Sequence, residues 1–223
     1  MRLTLIRPTL IRLLRERRGV TIIEFAFVLP FLLTITMAGL EMANLAVTVL
    51  RVNQLAMLAA DNAARVRNSI DETDVEQVIA GIKFAGSGIK FGDNGRLIIS
   101  AFEPNGQTGT KKGYKITWQR CFGANNVASS YGVEGDGATT NSMASGMGPL
   151  NKKVTPVENN ALMFAEIRYN YRPVVGSYFV SAFELTARQA FTVRDRASQT
   201  LNNSTNMSNT RKRLCDANHL SNT

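Results

Sequence analysis

Apolar and polar positions follow three different patterns along the 223 residues of this chain, and together they predict a long helix and a sheet. The first is a run without interruption: from Phe25 to Leu40 no residue carries a formal charge. As a helix these residues reach about 24 Å, short of the ~30 Å hydrocarbon core of a bilayer, whereas a count from Val20 gives about 31 Å. A full span therefore includes Glu24 or runs past Glu41. The second pattern continues the first beyond Gly39. Met42, Leu45, Val49, Val52, Ala56, Ala59, Ala63 and Val66 recur at alternating spacings of three and four, an apolar seam with a mean period of 3.5. Its second half is mostly alanine, which permits close approach of a packing partner. One helix from Val20 to Arg67, half in lipid and half in water, is the simplest account. Pro30 lacks the N–H for an i→i−4 bond and is expected to kink it.

Residues 68–86 predict a shorter helix. Ser69-x-x-Glu72 and Thr73-x-x-Glu76 both match a capping box ahead of Val75, Val78, Ile79 and Ile82, with Gly86 and Gly88 as terminators. Beyond it the period becomes two. Tyr114, Ile116 and Trp118 alternate with polar residues, as do Met163, Ala165, Ile167, Tyr169 and Tyr171, while Leu97–Phe102 and Leu185–Val193 give two less regular strands. Alternation of this kind predicts an antiparallel sheet with one buried face and one wet face. The alanine-rich part of the long helix is the natural cover for the buried one. The expected fold is α+β: a long N-terminal transmembrane and amphipathic helix packed on a four-stranded antiparallel sheet. Between the strands, residues 123–160 are rich in Gly, Ser and Asn, so that a surface recognition loop and a mobile connection are both consistent with them; mobility is the preferred reading.

Charge refines this picture. Of a net charge of +9, residues 1–19 supply +5 through six arginines against Glu16. The basic character therefore belongs mainly to the leader and is no argument for nucleic acid; ahead of an apolar segment it fits an N-terminus held in the cytoplasm. A secretory signal peptide cleaved near Thr36-Met37-Ala38 explains the basic leader and the apolar run, but neither Glu24 nor the helix that continues past Gly39. The two cysteines, Cys121 and Cys215, have no partner at metal-ligand spacing. In an exported domain a single disulfide is their natural reading, and in the cytosol they are unrelated thiols.

The stretch "RRGVTIIEFAFVLPFLLTITMAGLEMANLAVTVLRVNQLAMLAADNAAR", about residues 17–65, resembles the start of a type IV pilin and more closely the TadE-like pseudopilins of tight-adherence (Tad) pilus systems. The resemblance rests on Gly19 followed by Val20-Thr-Ile-Ile-Glu24-Phe25, inside a basic-then-apolar context that runs into an alanine-rich stretch. It implies cleavage after Gly19 by a membrane prepilin peptidase, giving a mature chain that begins at Val20 with Glu24 at its fifth position and Phe25 beside it. The new α-amine and the Glu24 carboxylate would then neutralise each other, within a chain or between neighbours, and set the axial register of an assembly. "RYNYRPVVGSYFVSAF" is similar to the Tyr-x-Tyr-x-Pro segment found late in such chains. By analogy with pilins, Cys215 would be tied back to Cys121.

The organisation implied is a cytoplasmic leader (1–19), the long helix (20–67), an exported α+β domain (68–195) and a polar tail (196–223). Its expected place is a bacterial inner membrane, crossed once, with the C-terminal domain periplasmic or extracellular. The expected partners are that membrane, the prepilin peptidase, and other pilins and Tad assembly proteins. No enzyme site can be assembled: His219 is the sole histidine and lies in the tail, no P-loop ending follows Gly86-Ser87-Gly88, and Asp93-Asn94-Gly95 suits a hairpin bend better than a calcium loop. No cofactor, metal, nucleic acid or small-molecule substrate is expected. The competing reading is an exported or signal-anchored periplasmic binding domain whose ligand is recognised by residues 123–160.

Overall fold

The computed structural model describes residues 18–157 and 160–220. The rest of the basic leader lies outside the described residues, as do positions 158–159 and the last three of the tail. The fold is α+β, with a long apolar N-terminal helix and a four-stranded antiparallel sheet. The chain divides into two compact units: one comprises the helix up to Asn44 and the segment Pro173–Ser181, and the other comprises Leu45–Arg172 with everything from Ala182 onward.

Helix α1, Arg18–Arg65, continues across Pro30. In the larger unit its buried stripe consists of two adjacent i, i+4 rows, Val52-Ala56-Ala60-Ala64 and Leu55-Ala59-Ala63, all at 0–1% exposure. The predicted seam is thus correct from Val52 to Ala63 and is corrected at its ends: Met42 points outward at 57% exposure, and Leu45, Val49 and Val66 are only half-buried. A straight helix with 3.6 residues per turn covers a sheet with a stripe wider than the two-position seam of a coiled coil, which is why Leu55, Ala60 and Ala64 join the core.

Strand β1, Asn68–Asp71, replaces the expected first turn of the second helix. Helix α2, Glu72–Ala85, starts instead from Asp71. Asp71 Oδ1 accepts from Thr73 N at 3.0 Å, and the Asp71 N–H donates to Asp74 Oδ2 at 2.9 Å. Aspartate, at both positions, is a capping box in its own right, and Glu72 and Glu76 are released for ion pairs. The helix ends at Gly86, where a Cβ would stand 2.6 Å from that of Phe91. A short helix α3, Phe91–Asn94, takes the place of the expected hairpin bend.

Strands β2 (Gly95–Pro104), β3 (Tyr114–Phe122), β4 (Leu162–Tyr171) and β5 (Phe183–Thr192) form the sheet in the order β3-β2-β4-β5, every pairing antiparallel. One face presents Leu97, Ile99, Trp118, Met163 and Ile167, all buried along with the apolar rows of α1 and α2. The other face was expected to be wet. Instead Phe102, Ile116, Leu162 and Phe164 form a second cluster there with Met147, and Tyr131, Met143 and Val154 pack against it. These anchors belong to the Gly- and Ser-rich connection, which is therefore folded onto the sheet. Its exit from β3 depends on Gly123, where φ is +110° and a Cβ would fall 2.2 Å from the Gly95 carbonyl oxygen. The amide of Asn105 ties it to the β2–β3 turn, with Nδ2 within 3.0 Å of the carbonyls of Gly137 and Thr140.

Residues 196–202, expected to be tail, form strand β6 (Arg196–Asn202), which runs parallel to β1 with Ile70 opposite Leu201. Trp118 Nε1 donates to the Gln199 carbonyl at 2.9 Å. The Arg196 guanidinium donates to the carbonyls of Ala63 and Val66 at 3.2 Å, supplying donors and positive charge where α1 ends.

Candidate membrane and assembly segment

The first half of α1 exposes its apolar side chains, uncovered by the other described residues. Ile22, Phe27, Phe31 and Ile35 are each about 70% exposed. Gly19–Arg65 is long and apolar enough to cross a membrane, and none of its most apolar eighteen-residue window is buried. Two of its hydroxyl groups are satisfied within the helix. Thr34 Oγ1 donates to the Pro30 carbonyl and Thr36 Oγ1 to that of Leu32, both at 2.7 Å, so neither presents an unmet donor outward. A surface of this kind in water would be an aggregation liability; in lipid, or against other helices, it is a contact surface.

The expected processing and registration residues lie at the start of this surface. The Gly19–Val20 bond is inside the first turn of the helix; Val20 is 52% and Phe25 58% exposed, and Glu24 is exposed beside them. A Cβ on Gly19 would meet nothing within 4 Å. Among the described residues, no contact therefore requires glycine at this position.

One residue of this unit escaped the sequence reading. Glu41, considered only as the end of the charge-free run, is fully buried. Its Oε2 accepts from two consecutive backbone N–H groups, Val174 at 3.0 Å and Val175 at 2.8 Å. Two amide donors on one oxygen are a strong reason for a carboxylate to be tolerated out of water. The available signal was its spacing: Glu41, Thr48 and Val52 lie seven and four residues apart on one flank of α1, and all three are buried.

In the larger unit the structure joins Cys121, buried at the end of β3, to Cys215, with Cα atoms 4.9 Å apart. The Cys121 N–H also donates to the Arg213 carbonyl at 2.7 Å. Arg213 pairs with Glu76 at 2.6 Å and lies over the Phe122 ring at 5.8 Å, so the tail is held by charge as well as by sulfur. The hydrogen bonds it donates to Glu76 raise the Arg213 pKa above its ordinary value. Arg120, on β3, bridges Glu72 and Glu134. Burial lowers its pKa, but the hydrogen bonds and charge of the two glutamates outweigh this and leave it raised. These are structural charges, each satisfied inside the fold.

Comparison of the chain with protein-family models, curated proteins and solved structures found no match.

Proposed function

We propose that the chain is a minor pseudopilin, or a membrane-anchored assembly component, of a Tad-type pilus, processed after Gly19 and acting in pilus biogenesis and surface adherence. The observation that carries this reading is the division of labour along one helix. From Val52 onward the helix buries an alanine-rich stripe in a folded α+β unit, while the preceding turns expose aromatic and branched side chains and begin with the Gly19/Glu24/Phe25 spacing of a prepilin. Such a helix can lie in a bilayer and later exchange lipid for neighbouring helices without unfolding the domain attached to it. The leader would be cytoplasmic and the α+β domain periplasmic or extracellular, in a bacterial inner membrane. The partners would be the prepilin peptidase, other pilins and Tad assembly proteins.

The role proposed for Glu24 is to meet the α-amine of Val20, in its own chain or in a neighbour, at low dielectric. The test is fractionation of a tagged chain between inner membrane and sheared filaments. Glu24→Gln is expected to leave membrane insertion intact and to reduce recovery with filaments or with the assembly complex; unchanged recovery removes the registration role. The alternative, an anchored binding domain that reads its ligand with residues 123–160, is less favoured because Tyr131, Met143, Met147 and Val154 are spent on covering the sheet.

A further inference from the structure

The segment between β4 and β5 has no place in the function just proposed, although it belongs to the same unit as the first half of α1. From Pro173 to Phe183 it contains no charged residue, with Arg172 and Glu184 at its borders. Three of its apolar side chains are exposed, Val174 at 76%, Tyr178 at 98% and Phe179 at 39%. What places it is Glu41. The hydrogen bonds from Val174 N and Val175 N fix the segment beside the helical turn that follows Leu40, where the charge-free run ends. Counted from Val20 the helix reaches about 31 Å by Leu40, which matches a hydrocarbon core of ~30 Å and puts its outer end at a membrane boundary. A carboxylate facing lipid there would be costly. Glu41 is instead turned under the segment, and the next charge along α1 is Arg51.

We infer that Pro173–Ser181 is a second membrane contact, an interfacial loop that Glu41 clasps to the helix and that seats Tyr178 and Phe179 among lipid headgroups and upper acyl chains. The inference rests on the helix spanning a bilayer. The occupant is lipid because the loop continues the exposed apolar surface of that helix. Its chemistry also fits the interface: an exposed aromatic with a hydroxyl beside a phenyl ring. A helix held at one line of contact is free to rotate and tilt. A second contact at the outer boundary fixes both.

The test uses the full chain in vesicles of phosphatidylcholine and phosphatidylglycerol whose acyl chains are brominated either near the headgroup or near the bilayer centre. Tyr178→Trp reports the loop and Leu32→Trp the helix. Trp118, the single native tryptophan, is 2% exposed and supplies the background. The expected result is a blue shift and loss of emission from Tyr178→Trp with the shallow bromines, and from Leu32→Trp with the deep ones. Quenching at position 32, with position 178 reached only by aqueous iodide, overturns the loop contact and leaves the span standing. No quenching at either position removes the span itself and the inference with it. Adding Glu41→Ala is expected to make position 178 accessible to iodide while position 32 stays quenched; unchanged quenching at 178 overturns the clasp. Phe179→Asp, which puts a charge into the loop, is expected to expel it in the same way, and a loop that stays quenched despite it argues against lipid.

Discussion

Arg120 and Glu72 meet face to face inside the protein, with Nε 3.0 Å from one carboxylate oxygen, Nη2 2.6 Å from the other, and both side chains less than a tenth exposed. The pair fastens the first turn of α2 to β3. Glu72→Ala leaves a buried guanidinium with the Gln119 carbonyl and, as its remaining ionic partner, the half-exposed Glu134, and is expected to cost about 3–5 kcal/mol. The double replacement Glu72→Met with Arg120→Met should recover much of that, because the desolvation of both charges disappears together. Urea denaturation of the four members of this cycle, in detergent, measures the coupling.

The Cys121–Cys215 bond closes a loop with a sequence separation of 94 residues. In the chain-entropy account, a crosslink of that span stabilises by about 4–5 kcal/mol. Reduction, or Cys215→Ser, should therefore lower the urea midpoint while β1 to β5 still form. Without reductant, an alkylating reagent should label neither cysteine. Rapid labelling of both would contradict the bond.

Two tail contacts respond to pH in opposite directions. His219 has Asp216 Oδ1 2.5 Å from Nδ1 and the Asn209 carbonyl 2.7 Å from Nε2, an environment suited to a ring that donates from both nitrogens. The hydrogen bond to Asp216 is the largest of the effects that raise its pKa above 6.5. Its contribution is complete below the unfolded value and is lost as pH rises through the folded one. Proton NMR of the His219 ring should therefore show a raised midpoint that Asp216→Asn returns toward normal. At Asp71, burial raises the pKa, but hydrogen bonds from Ser204 and Thr73 overcome it and bring it to about 2. Stability from this cap is present above the ordinary 3.8 and is lost as pH falls toward 2, when β1 and the start of α2 should exchange amide protons first.

The two halves of α1 should respond to mutation in different ways. Ala59 is fully buried, and Ala59→Leu forces a side chain into a packed space at a cost of about 1–3 kcal/mol. Phe31 is 71% exposed, and Phe31→Ala should leave the unfolding midpoint in detergent unchanged while weakening association with other helices. A loss of domain stability from Phe31→Ala would contradict the separation of roles.

The sequence made legible those elements whose side chains repeat. The long helix followed from its seam, and the four sheet strands from their alternation. Strand β6 did not, because it is held through backbone and buried polar groups: Leu201 is its single large aliphatic residue, and Arg196 and Gln199 are buried by hydrogen bonding. The segment after Gly123 misled for a related reason, since its anchors are irregularly spaced among glycine and serine and show no period. Glu41 was hidden because its partners are backbone amides more than 130 positions away, which leave no mark in side-chain pattern. In the candidate segment the Gly19/Glu24 spacing was visible at once, while the loop that covers Glu41 needed coordinates.

The central claim, a prepilin-type chain cleaved after Gly19, is tested most directly by the N-terminus of the protein recovered from membranes, with and without a prepilin peptidase in the same cell. The account predicts a start at Val20 that depends on the peptidase. A start near Gly39, or an intact Met1 with the peptidase present, would contradict it.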